Sequence, residues 1–350
     1  MTIPKVSILI PTYNGARYLA ATLESALSQS FGDFELIVCD DGSKDETVSI
    51  VRDYQKKDHR IRFFQNPTNL GLVQNWNHAL MLAQGEWIKY LFQDDLLTPK
   101  ALEKMLCVPD SASMVCSKLH YILEPGIVEE TRDFFEKRLC QIADIYPGKK
   151  NLSYQDISLA AFDHFPTNII GEPVAILFHR RAISLYGLAN PDMIQCCDYE
   201  YFLRLAANEG LFFIDEPLVS FRVHPDSATA NNMKKRFRKD TMDNLILRHE
   251  IVFNPHYHKF RAAVCEKKPN MDFVNLFAWF ARDTFQRAHS DPEDLEYFLE
   301  IAAKYPAISL CKKRFKIFSS LFEKICGVIS LRANFREKRN SSNSLPNKAR

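Results

Sequence analysis

Over the first hundred residues, short apolar runs alternate with segments of helical period, and few folds accept that alternation. Val6–Ile10 reads as a buried strand, and Leu19, Leu23, Ala26 and Leu27 follow at helical spacing. Phe34–Cys39 is a second apolar run, after which Thr47, Val48, Val51 and Tyr54 restore the helical period. A strand over Ile61–Gln65, a helix over Leu72–Gln84 and a strand over Glu86–Phe92 continue the series. Thr98-Pro99 has the form of a helix start, with Thr as N-cap and Pro at the first position. The pattern predicts βαβ units, hence an α/β fold with a mostly parallel sheet covered by helices on both faces. Ligands of such sheets bind beyond the carboxyl ends of the strands.

Further along, the signal changes. Met114–Cys116 and His120–Leu123 read as strands, and Glu124–Asp163 as a variable insertion. Val174–Phe178 (strand), Asp198–Asn208 (helix), Leu211–Ile214 and Leu218–Val223 (strands) follow, and from Asp226 to Leu331 the pattern is helical. The chain has 350 residues, 46% hydrophobic and 25% charged, which excludes wholesale disorder. No apolar run approaches the ~18 residues of a membrane span. Met1–Pro11 has no basic region or cleavage-site run, so no signal peptide is expected and the chain is expected to stay in the cytoplasm. Nine cysteines without a C-x-x-C fit reduced thiols rather than disulfides or zinc.

The strand ends carry the chemistry. Pro11-Thr12-Tyr13-Asn14-Gly15 follows the first strand, Asp40-Asp41-Gly42-Ser43 the second, Asn69-Leu70-Gly71 the third and Gln93-Asp94-Asp95 the fourth. Each alone is ordinary turn chemistry, and Ser43-Lys44-Asp45-Glu46 also fits a capping box. Together they deliver acids and amides to one sheet edge. Adjacent carboxylates are costly unless a cation neutralises them, and Asp94-Asp95 suits Mg²⁺ or Mn²⁺ with substrate phosphates. Neither a G-x-x-x-x-G-K-[ST] loop nor a G-x-G-x-x-G turn occurs, which leaves phosphate to the metal.

These segments (V-S-I-L-I-P-T-Y-N at 6–14, L-I-V-C-D-D-G-S at 36–43, N-L-G-L-V-Q-N-W-N-H-A-L at 69–80, A-Q-G-E-W-I at 83–88, Q-D-D-L-L-T-P at 93–99) resemble family 2 glycosyltransferases. The resemblance is dense to about residue 105 and patchy to about 230. It implies a GT-A fold, a nucleotide-sugar donor and inversion at the anomeric carbon. It implies that Tyr13, within Pro11-Thr12-Tyr13-Asn14, stacks on the base, that Asp40 accepts a hydrogen bond from it, and that Asn69 lies at the nucleotide. Asp95 is the first choice for the metal and Asp94 for ribose or the metal's water shell. Phe92 stands where the family often has a further acid.

Gly171–Arg181 is similar to the family's acceptor-side strand, and Cys197-Asp198-Tyr199-Glu200 to its E-D-x-D helix, which implies that Asp198 is the general base. Cys197 replaces the family's Glu. By residue type alone, Asp198 is a first-turn acid on the helix dipole, and Glu200 with Arg204 a surface ion pair. Ser220–Thr229 resembles the Y-R-x-H-x-x-S-x-T segment, which implies Arg222 at phosphate and His224 as a further metal ligand. His249, His256 and His258 read as a solvated helical face.

Domain limits follow: 1–230 for nucleotide-sugar binding and catalysis, 231–335 helical, 336–350 a polar disordered tail. From Ile308 to Arg350, eleven Lys/Arg against two Glu give +9 and leave −7 elsewhere. Phe318, Leu321, Phe322, Ile325, Val328 and Ile329 form an apolar helical stripe bordered by lysines. Such a helix over 308–339 suits a membrane surface or packing on the body, while no motif supports nucleic acid. The expected reaction is metal-dependent transfer from a UDP-sugar, less so a dTDP-sugar, to a glycan or lipid-linked glycan hydroxyl. The alternatives are a catalytically inactive nucleotide-sugar-binding scaffold and a sugar nucleotidyltransferase, whose glycine-rich basic loop is absent from Pro11–Tyr18.

Overall fold

The computed structural model describes residues 3–138, 141–233 and 237–314. They divide into two compact units between Phe277 and Ala278. The first holds a nine-stranded sheet: β1 (Val6–Thr12), β2 (Phe34–Asp40), β3 (Ile61–Gln65), β4 (Trp87–Tyr90), β5 (Leu96–Leu97), β6 (Met114–Leu123), β7 (Asn151–Leu152), β8 (Ile176–His179) and β9 (Leu211–Val223). Strand order is β3-β2-β1-β4-β8-β6-β9-β5, with β7 paired to β9.

The expected alternation forms the first half of this sheet. β1 pairs in parallel with β2 and β4, and β2 with β3. Every residue of β1, β2 and β4 is buried, which explains their unbroken apolar runs. Helices Ala16–Leu27, Thr47–Gln55 and Leu72–Leu82 make the crossovers. The order of strand addition reverses at β1, with β2 on one side and β4 on the other, so a crevice is expected at the carboxyl ends of β1 and β4. Beyond β4 the sheet is mixed: β8 runs antiparallel to β4 and β6, whereas β6 and β9 are parallel.

Three local expectations change. The Thr98-Pro99 helix starts later, at Ala101, because Thr98 is still tied to Leu218 by its amide at the end of β5. Leu211–Ile214 and Leu218–Val223 are one strand, and so are the two segments of β6. Asp215-Glu216 bulge out of the ladder between Ile214 and Pro217, and Pro217 has no amide to give. The Ser43–Glu46 capping box does not form; the Ser43 hydroxyl goes to Asp40, and Asp45 takes the Thr47 amide and hydroxyl.

Gly85 marks a close approach. Its amide donates to Ser7 Oγ (2.8 Å), and a Cβ there would lie 2.5 Å from the Ser7 nitrogen and 2.7 Å from the Val6 carbonyl carbon. Backbone cannot yield cheaply, so Gly85→Ala is expected to cost about 1–3 kcal/mol. Urea denaturation would read this as a lower midpoint at unchanged slope; an unmoved midpoint refutes it.

In the second unit, Asp291 caps the Pro292–Lys304 helix by accepting from the Glu293 amide (2.8 Å). That helix buries Phe298, Ile301 and Ala302, and Phe285 packs on Phe298 with ring centroids 5.3 Å apart. The amphipathic basic stripe of 318–329 and the polar tail of 336–350 lie outside the described residues. Among the described residues no helix is long and apolar enough to cross a membrane.

Candidate functional site

Register places the strand ends side by side. Thr12 lies opposite Asp40, and the Leu91 amide donates to the Leu9 carbonyl, so the loops after β1, β2 and β4 share one edge. Tyr13 is 47% exposed, and its backbone is clamped by Gln93: the Tyr13 amide donates to Oε1 (2.9 Å) and Nε2 donates to its carbonyl (3.2 Å). Asn14 adopts φ +48°, a conformation Asn tolerates, and its Oδ1 accepts from the Lys44 amide (2.8 Å). The Ser43 hydroxyl accepts from the Asn14 amide (2.8 Å). This leaves the Tyr13 ring presented on a braced loop.

The two acids of Asp40-Asp41 face inward. Asp40 is fully buried and accepts from the Thr12 hydroxyl, the Gly42 and Ser43 amides, the Ser43 hydroxyl and the Gln65 amide group. Asp41 accepts from the Leu70 and Gly71 amides and from Asn66. Both oxygens of Asp40 are therefore engaged in building the loop, and a ligand group would have to displace Ser43 or Gln65. Asn69 is exposed, donating to the Asp41 carbonyl (3.0 Å).

Across this edge from β1, β9 delivers Arg222 and His224. His224 Nε2 lies 3.0 Å from Asp94 Oδ2, and the Tyr18 ring stacks obliquely on the imidazole at 4.9 Å. Arg222 donates through Nε to the Asp94 carbonyl (2.9 Å) and pairs with Glu124 at 2.5 Å. Its guanidinium covers one side of the Tyr18 ring at 4.7 Å, and Arg17 lies at 4.8 Å. Asp95 is fully buried, with Oδ1 accepting from the Arg222 amide (2.9 Å). Burial first, and then the Asp94 charge, pushes the Asp95 carboxyl well above the usual range.

Asp94, Asp95 and His224, expected as a metal trio, are neighbours but do not form a three-donor cage. Among the described residues, no group of three or more His, Cys, Asp or Glu is placed to hold a metal ion. Asp95 is drawn away by the Arg222 amide, leaving Asp94 and His224 as the exposed-side pair. The residues nevertheless fit Mg²⁺ or Mn²⁺. Asp95 Oδ2 and His224 Nδ1 are buried without a hydrogen-bond partner, and adjacent carboxylates with an imidazole are a hard oxygen–nitrogen donor set. Two protein donors suit an ion that keeps waters and diphosphate oxygens.

Asp198 occupies the first turn of the Cys197–Glu209 helix. The sequence named no partner for it; the structure supplies Glu172. Both residues are half-buried. Burial raises both, and the charge of Asp198 raises Glu172 further. Glu172 also acts on Asp95, so Asp94, Asp95, Glu172 and Asp198 form one line of electrostatic influence, each charge raising the next carboxyl's affinity for its proton.

Beneath that line lies Lys89 of β4, fully buried, an unexpected cation in an apolar strand. Its ammonium donates to the Val174 and Ile176 carbonyls and holds the start of β8 against β4. Burial pulls its pKa down to about 7, opposed by Cys116 and Asp95. Glu172, Lys89 and Glu124 were all missed in the sequence. A lysine amid Trp87-Ile88-Tyr90-Leu91 was the one legible signal.

Four further expectations resolve. Phe92, in place of an acid, stacks on Trp76 with centroids 4.6 Å apart. Cys197 is buried. Glu200 and Arg204 are not a surface pair: their side chains are 1% and 6% exposed and meet at 3.0 Å. Nor are the three histidines one solvated face: His249 packs between Phe253 and Phe277 and His256 against Tyr186, while His258 is exposed. An open cleft of ≈ 440 Å³ at the opposite sheet edge is lined by Lys5, Glu86, His179 and Arg181. Lys5 is paired with Glu86 there, and Arg181 with Glu209, and none of the acids just described reaches it.

Residues 7–146 match the family described as glycosyl transferase family 2. The putative glycosyltransferase EpsE of Bacillus subtilis is 44% identical over 104 residues, 29% of this chain and 37% of its own. The chain spans less than half the length of the curated relatives that share such identity. Among solved structures, S. aureus TarS 1-349 in complex with UDP-GlcNAc superposes with a TM-score of 0.54 at 15% identity, over 86% of this chain and 91% of that one. The mannosyltransferase PcManGT from Pyrobaculum calidifontis, in complex with GDP-Man and Mn²⁺, gives 0.50 at 17%, over 89% and 84%. The fold is the α/β GT-A arrangement expected from the sequence, with helices at the C-terminal side.

Proposed function

We propose that this chain, whose residues 7–146 carry a glycosyl transferase family 2 domain, moves a sugar from a nucleotide-activated donor to a hydroxyl of a glycan or lipid-linked glycan, with inversion. A UDP-sugar is the first choice of donor, and residues 1–230 are the catalytic part. The observation that carries this reading is the line of acids. It joins a metal-suited pair, Asp94 and His224, to the raised carboxylates of Glu172 and Asp198. A single in-line displacement needs a leaving-group site and a base on opposite sides of the reacting carbon, and no protein nucleophile.

The roles follow from placement. Tyr13 stacks on the base from its braced loop, with Pro11, Thr12, Asn14 and Asn69 around it. Asp40 sets the loop and reaches the nucleotide only by exchanging one of its internal partners. Arg222 and Arg17 flank Tyr18 and supply positive charge beside Asp94 for a diphosphate. Asp94 and His224 would hold Mg²⁺ or Mn²⁺, with Asp95 behind them, and the ion supplies neutralisation of the departing diphosphate. Asp198 takes the proton of the attacking hydroxyl. Its raised pKa brings a carboxylate closer to the working pH, where a general base is effective. Glu172, raised by Asp198, retains its proton more readily and spares Asp198 a second adjacent charge. The two solved structures of this fold that hold UDP-GlcNAc and GDP-Man with Mn²⁺ agree with this donor class.

Calorimetry with UDP, dTDP, GDP and CDP, each with Mn²⁺ and with EDTA, tests the reading. One nucleotide is expected to bind with Mn²⁺, to weaken at least tenfold (about 1.4 kcal/mol) in EDTA, and to weaken similarly in Asp94→Ala. If none binds the wild type, the proposal fails. Binding without turnover on acceptor extracts would favour the inactive scaffold.

A further inference from the structure

The turn that leads into the Asp198 helix is held from outside. The amides of Ile194, Gln195 and Cys196 all point at one carboxylate, Asp243, which is fully buried. Ile194 N lies 3.2 Å from Oδ1 and 3.1 Å from Oδ2, Gln195 N lies 2.6 Å from Oδ2, and Cys196 N 2.8 Å from Oδ2. Successive amides converging on an anion form a nest of charge-assisted bonds. Asp243 begins the Asp243–Phe253 helix, which is anchored by buried Leu245, Ile246, Leu247 and Ile251. Asn232 adds a bond from Nδ2 to the Ile194 carbonyl (2.9 Å). Asp198 follows the anchored turn by two residues.

We propose that Asp243 is a positioning residue for the Asp198 base: it fixes the turn that launches the Asp198 helix and places a negative charge behind that carboxylate. This rests on the reading of Asp198 as the base. A carboxylate fully committed to three amides is rigid, so the direction in which Asp198 leaves the helix is set by a residue beyond the 1–230 segment. Among the described residues, the charged and titratable groups facing the pair are these. Glu172 faces Asp198 from the segment before β8, and Cys196 and Cys197 lie on its own turn and helix. Asp240 faces Asp243 from the preceding turn, and Arg248 lies one turn on, near Cys196. The Asp243 charge raises Asp198, an effect smaller than burial and than the opposing amides of Asp198 and Tyr199.

The full chain with Asp243→Asn and with Asp243→Ala provides the test, with kcat, KM and nucleotide affinity measured across pH. In Asp243→Asn, one oxygen still accepts but the charge is gone. The acid limb of the kcat profile is expected to move to lower pH and kcat to fall about tenfold, with nucleotide affinity within about twofold of wild type. Asp243→Ala should lose more kcat; if it does not fold, the Asn variant carries the test. An unmoved acid limb with kcat within twofold overturns the inference, as does an equal loss of nucleotide binding and turnover. A wild type that binds nucleotide but never turns over removes the base assignment, and the inference falls with it.

Discussion

Asp198→Asn is expected to lower kcat by about 10²–10⁴-fold while nucleotide affinity stays within about twofold. The substitution keeps shape and removes the proton acceptor. The helix start should survive it, because the turn before it hangs on Asp243 and its first residue, Cys197, is buried. Glu172 is the alternative base, and although the variant removes the Asp198 charge that raises it, burial, the larger cause, still favours its protonated form. The wild-type profile should lose activity on acidification at a pH above the ordinary carboxylate range, because protonated Asp198 cannot accept. Steady-state turnover on an acceptor, with calorimetry on the same preparation, decides it. A variant retaining more than a tenth of wild-type kcat would assign the base elsewhere.

The second large effect concerns stability. Arg204 Nη2 bonds Glu200 and the Leu188 carbonyl (2.8 Å), and Nη1 bonds the Tyr186 carbonyl. Tyr257 donates to the Glu200 carbonyl (2.9 Å) and side chain (3.2 Å). Forming a buried pair yields little net stability, but removing one member leaves a charge in low dielectric. Arg204→Met is therefore expected to cost about 3–5 kcal/mol, with two backbone carbonyls also orphaned. Replacing both members, as Glu200→Leu with Arg204→Met, should cost less than the single change. Urea titration of both variants checks it, and a single variant within about 1 kcal/mol of wild type refutes the buried-pair account.

How much of this was legible depended on where the signal resides. β1, β2 and β4 are buried on both faces, so their apolar runs stood out and their ends could be located. β6 and β9 were each split in two, because Ser117-Lys118 break the apolar run of one and Asp215, Glu216 and Pro217 that of the other, at facing positions where the ladder shifts register and closes again. Asp94, Asp95, His224 and Arg222 were found as residues, yet their division of labour was not: which carboxylate turns inward depends on a backbone amide of β9. Glu200 and Arg204 were seen as an i,i+4 pair, but helix spacing carries no information about depth. Asp243 left no trace, because its partners are main-chain amides about fifty positions earlier, and any residue type can supply those.

The junction of β4 with β8 also has a temporal side. β1 through β4 close among themselves through short crossovers, whereas Trp87 meets His179 only after roughly ninety more residues have been made. Leu96 must wait longer still, for Ser220. Synthesis runs from the N-terminus, so the Tyr13 loop can assemble on the ribosome long before Asp198 is made. The late, sequence-distant pairings should set the folding rate. The nascent chain would pass through a stage in which the braced Tyr13 loop is complete while Arg222 and His224, the groups facing Asp94, are still unmade.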